Sequence, residues 1–141
     1  MKQRITVEDL EQLTEEQKQR LREWWKPQSG DFMYYLRRGK QVLINYIGDG
    51  ISDDVIVHVD YIIGEELYTK GDCLPLLNIG QMIELLEEGK MATEIIDIKS
   101  PRGLFNTYFV WYGNGDFPKK YEANELCNAL WQAVKQILKE E

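Results

Sequence analysis

The stretch LFNTYFVWY, residues 104–112, is apolar or aromatic at nearly every position. A strand of this kind has no polar face to offer water, so both faces need covering and both edges need hydrogen-bonding neighbours. It predicts a central strand. The neighbours have to come from the other strand-like runs: DFMYYLR and KQVLINYI, which flank Arg38-Gly39 as a β-hairpin, then DVIVHVDYI (54–62), TEIIDIK (93–99) and a short piece near EELYT.

Helical punctuation lies between and around these runs. Thr6 is placed to cap a helix through Leu13, and Thr14 with Gln17 forms a capping box for a second helix. Glu15 and Glu16 occupy its first turn, where the helix dipole favours them, and Glu16 is one turn from Arg20. Asn78 and Gln81 repeat the capping-box pattern ahead of Ile79, Met82, Ile83 and Leu86, with Gly89 as a left-handed stop. The last helix, about 122–139, carries Ala123, Leu126, Cys127, Leu130, Val134, Ile137 and Leu138 on one stripe, with Glu122 and Glu125 at its start. Helices and strands do not alternate as βαβ units. The 141 residues predict one α+β domain over 1–141, a mainly antiparallel sheet of about 4–6 strands packed with N-terminal, central and C-terminal helices.

The second helix ends at Trp24-Trp25, because Pro27 crowds the backbone of Lys26 and excludes it from helical geometry. Adjacent helical residues lie about 100° apart, so the two indoles cannot enter one pocket. One should follow Leu21 into the core and the other should lie at the boundary. A clamp of the N-terminal helices onto the hairpin is the plainer reading of the pair, and an exposed interface anchor is the alternative.

Charge narrows the function classes. The formal net charge is −7, against the basic stripe that nucleic-acid binders use to release counterions, so direct nucleic-acid binding is not expected. Residues 1–47 hold nine Lys/Arg and seven Asp/Glu, residues 69–141 hold eight and eleven, and residues 48–68 hold six acids without a base. No run approaches the roughly 18 apolar residues of a membrane span, and a cytoplasmic location is the expectation. Cys73 and Cys127 have no metal-type spacing and read as reduced core residues.

LREWWKPQSGD, CLPLLNIGQMIELLEE and ANELCNALWQAVKQILKE together resemble small uncharacterised proteins encoded by phages, prophages and related mobile elements of Firmicutes. The resemblance covers the two ends and the central helix, leaves out residues 40–72, and carries no catalytic motif. It implies an accessory role in a bacterial host.

Chemistry is thinly represented. The single histidine, His58, makes a zinc site improbable, and neither a calcium loop, a phosphate loop nor a dinucleotide fingerprint is present, so no cofactor is expected. His58 is a catalytic candidate by elimination. In DVIVHVD it alternates onto the same side as Asp54, Ile56 and Asp60, where a carboxylate could orient a ring nitrogen, but a solvent-facing strand histidine is the plainer reading. Nothing in the spacing supports a nucleophilic pair with Cys73. Gly80, near the first turn of the central helix, suits backbone N–H groups meeting an anion, and also suits close packing of helix on strand.

The acidic block offers a third site. Asp49, Asp53, Asp54, Asp60, Glu65 and Glu66 would complement a protein partner with a basic surface, the alternative being an ordinary solvated loop and edge strand. These observations lead to the expectation of a non-enzymatic accessory protein that binds a host or phage protein through its acidic face, such as an anti-phage defence enzyme. A small-ligand binder or enzyme with a pocket between sheet and central helix, and a self-assembling structural protein, are the alternatives.

Overall fold

The computed structural model describes residues 2–44, 55–60, 64–88, 94–99, 107–114 and 119–139. They are α+β, with four helices and antiparallel sheets among the described residues. The chain divides into two compact units, Val7–Leu76 and Met1–Thr6 with Leu77–Glu141.

The Val7–Leu76 unit opens with α1 (Val7–Glu11) and α2 (Glu15–Trp24). Helix α1 stops short of Leu13 because Thr14 is extended, at φ −73° and ψ 165°, in order to cap α2. The capping box is complete: the Gln17 N–H donates to Thr14 Oγ1 at 3.1 Å and the Thr14 N–H donates to Gln17 Oε1 at 2.8 Å. Replacing Thr14 by alanine is expected to cost about 1 kcal/mol, read as a lower urea midpoint with an unchanged slope. Arg20 meets Glu16 at 2.7 Å, an exposed pair one turn apart that adds a few tenths of a kcal/mol, roughly.

The exit from α2 comes one residue earlier than Lys26. Trp25 is already extended at ψ 126°, while its N–H still donates to the Leu21 carbonyl at 3.0 Å. The hairpin follows: β1 (Phe32–Tyr35) pairs antiparallel with β2 (Lys40–Leu43), Met33 opposite Val42. Gly39, at φ 59°, closes the turn in a conformation that side chains resist. Strand β3 (Val55–Asp60) pairs antiparallel with β4 (Gly64–Thr69), and a short 3₁₀ turn, Lys70–Asp72, leads into β5 (Cys73–Pro75). Strand β5 returns to β1, giving the order β2-β1-β5. Residues 73–75 carry no strand signal in the sequence, because three residues are too few to show a period.

One core joins these pieces. Trp25, Met33, Val42, Ile44, Ile56, Tyr68 and Cys73 are buried together, with Trp24 and Tyr35 packed against them. The question of the tryptophan pair is settled by exposure: Trp25 is 1% exposed, and Trp24 is only half-buried. The buried indole keeps its polar atom satisfied. Its Nε1–H donates to Asp31 Oδ2 at 3.0 Å, and the same oxygen accepts the Gln28 N–H at 3.0 Å. Asp31 immediately precedes β1, so this contact fastens the end of α2 to the hairpin.

In the second unit, residues 3–5 run beside the start of α3 (Ile79–Glu88): the Ile5 N–H donates to the Leu77 carbonyl at 2.9 Å and the Ile79 N–H to the Gln3 carbonyl at 3.1 Å. The Asn78–Gln81 capping box forms, with bonds of 2.8 and 3.0 Å. Met82, Leu85 and Leu86 are buried; Gly89 lies outside the described residues. Strands β6 (Glu94–Lys99), β7 (Tyr108–Asn114) and β8 (Lys119–Ala123) form an antiparallel sheet with β7 in the middle, as its apolar sequence requires. Helix α4 (Leu126–Lys139) packs on β7, β8 and α3.

Here the expected helix start at 122 is corrected. Glu122 and Ala123 belong to β8, and Glu125 lies just before α4. Lys119 and Lys120 suit an edge strand, where charged side chains discourage further pairing. The helical stripe misled because Ala123 keeps i, i+3, i+4 spacing with Leu126 and Cys127 even though it sits in a strand. Cys127, Leu130, Val134 and Leu138 are buried as expected, and Ala129, Trp131 and Ala133 widen the buried arc.

Candidate functional site

The acidic stretch runs into the β3–β4 ribbon. Asp49, Asp53 and Asp54 lie outside the described residues. The ladder sets His58 opposite Glu66, Val59 opposite Glu65 and Asp60 opposite Gly64, which fixes backbone positions for three of the candidate acids and for the histidine; the side chains of His58, Asp60 and Glu65 are outside what is described. Ile56 and its ladder partner Tyr68 are buried, whereas Leu67, one position along, is 60% exposed. The ribbon therefore turns the Ile56–Tyr68 face to the core and the Leu67 face outward.

Glu66 is the one acid of the block whose side chain is described, and it has partners inside the unit. It is about a quarter exposed, at 24%, lies 3.8 Å from Lys40 Nζ on β2, and accepts a hydrogen bond from the Tyr68 hydroxyl at 2.5 Å. Tyr35 meets Tyr68 edge-to-face with ring centroids 4.9 Å apart. A Glu66 offered to a partner would first have to loosen these contacts. Burial, and then the bond to Glu66, push the Tyr68 phenol well above the usual tyrosine value of 10.0.

Cys73 lies in the same core. Burial first and the neighbouring Asp72 carboxylate second push its thiol from 9.0 up to about 12, partly offset by Arg22. The thiolate is the reactive form, and burial in the core disfavours it, so Cys73 packs as a core residue. Because Cys73 and Tyr68 both ionise later in the folded chain than in the unfolded one, the unfolded chain loses these protons first. Their contribution to stability is full below about pH 9 and is lost as pH rises towards 12. Urea midpoints should fall steadily from pH 9 to 11, and a thiol reagent at pH 8 should label Cys73 only after urea is added.

Other groupings are less developed. A shallow cleft of about 210 Å³ lies between α2 and the 3₁₀ turn, lined by Gln19, Arg22, Glu23, Lys70 and Gly71. Its Arg22 already donates through Nε to the Cys73 carbonyl at 3.0 Å and through Nη1 to Gln19 Oε1 at 2.7 Å, holding α2 against β5. At the start of α3, the N–H groups of Ile79 and Gln81 are taken by the Gln3 carbonyl and the Asn78 side chain. Gly80 is exposed, and among the described residues a Cβ there would meet only Asn78 Oδ1 at 3.4 Å, so close packing on a described strand does not explain this glycine. Among the described residues no group of three or more His, Cys, Asp or Glu side chains is placed to hold a metal ion.

The chain matches no family model, no curated protein and no solved structure. What the site can do is therefore read from its own residues. Charge is uneven between the two units: Val7–Leu76 contains fourteen Asp/Glu and eight Lys/Arg, and the rest of the chain ten and nine. Sequence reading found the acidic block from the six acids without a base in residues 48–68. It missed the exposure of Leu67 and the approach of Lys40 to Glu66, which depend on how distant strands pack, and it missed the bond from Tyr68 to Glu66, a same-face pair two residues apart within β4. Among the described residues no helix is long and apolar enough to cross a membrane.

Proposed function

We propose that this chain is a non-enzymatic accessory protein of a phage or prophage that binds a host or phage protein through the acidic surface of residues 48–68. The observation that carries the reading is the localisation of charge, six carboxylates without a base in residues 48–68; Leu67 on β4 is exposed as well, on the ribbon face opposite to that of Glu66. Such a surface steers a basic partner by its field. A nucleic-acid-handling defence enzyme has the required basic surface, since it must bind phosphates. The resemblance of the two ends and the central helix to phage and prophage proteins points the same way. The competing small-ligand reading draws little from the first turn of α3, where the Ile79 and Gln81 donors are already bonded.

Tagged chain captured from the natural host should retain a basic protein partner at low salt and lose it as salt is raised. Changing Asp49, Asp53, Asp54 and Asp60 together to lysine should weaken that capture by about one to three orders of magnitude while the far-UV spectrum stays as before. Glu66 is left unchanged so that its bond to Tyr68 is not disturbed. Undiminished capture by the folded variant would remove the acidic surface as the binding site, and a co-purified metabolite in place of a protein would favour the ligand reading.

A further inference from the structure

We draw no further inference here: the strongest candidate, the half-exposed Phe109 and Trp111 beneath Lys120 Nζ (4.5 and 5.8 Å from the ring centroids) in the β6–β7–β8 sheet, carries nothing because Lys120 is itself balanced by Glu122 at 3.7 Å and nothing in the structure shows what else would cover these rings.

Discussion

Trp25→Ala is expected to lower the unfolding free energy by about 3–5 kcal/mol, while Trp24→Ala costs about 1–2 kcal/mol. The difference follows from position. Trp25 is 1% exposed in a core shared with Met33, Val42, Ile44 and Ile56, so truncation opens a cavity in a cluster whose members lie on or beside strands of two sheets. Trp24 packs against the same core from its edge, where water can take the place of the lost ring. A domain of this size has roughly 5–15 kcal/mol in hand, so the first variant should melt far below the wild type, by ten degrees or more as a rough guide. Urea unfolding followed by far-UV circular dichroism is the suitable measurement, because each substitution removes a fluorophore. Trp25→Phe separates ring volume from the hydrogen bond: it keeps most of the packing and leaves Asp31 Oδ2 with the Gln28 N–H, so a cost of about 1–2 kcal/mol is expected. Should Trp24→Ala prove the more damaging of the two alanine variants, the assignment of the buried ring is wrong.

The second large effect belongs to the other unit. Leu130→Ala is expected to cost about 2–5 kcal/mol, because Leu130 is 0% exposed on a helix that packs against both α3 and the β7–β8 side of its sheet. Leu126→Ala, four residues earlier on the same stripe but only half-buried, should cost about 1 kcal/mol. The pair is a direct test of where α4 begins and which way it faces. If the helix started at 122 with the stripe uniformly inward, both substitutions would cost alike; a strand at 119–123 followed by a helix from Leu126 makes the first turn peripheral and Leu130 central. Denaturant midpoints for the two variants, compared at equal slope, decide between these.

Much of the fold is legible along the chain wherever the controlling interaction is short-range. Both capping boxes formed from the residues that announced them, since a side chain at the cap and one three residues later can reach each other's backbone whatever the rest of the chain does. The hairpin turned at Gly39, a residue free to take positive φ. The 104–112 run placed its strand, β7 (Tyr108–Asn114), between two hydrogen-bonded neighbours, although only the face carrying Val110 and Tyr112 is buried and Phe109 and Trp111 stay half-exposed. Where local patterns were short or ambiguous the reading went astray: β5 has three residues, and β8 hides within a spacing that also suits a helix. The acidic block was legible as composition, whereas the approach of Lys40 on β2 to Glu66 on β4 depended on how strands pack.

The sequence by itself determined the α+β class, the helix caps, the end of α2 beside Pro27, the central place of β7 and the uneven distribution of charge, because each depends on backbone sterics, hydrogen bonds within a turn or a count of side chains. Only the tertiary structure decided that Trp25 and not Trp24 is buried, that β5 joins β1, that Glu66 is held between Tyr68 and Lys40, and that Leu67 faces outward. Those outcomes rest on contacts between segments far apart in the chain, or on which face of a ribbon meets the core. Either tryptophan could satisfy the helical spacing, and the packing of α2 on β5, with the bond from the Trp25 indole to Asp31, selects the one that does.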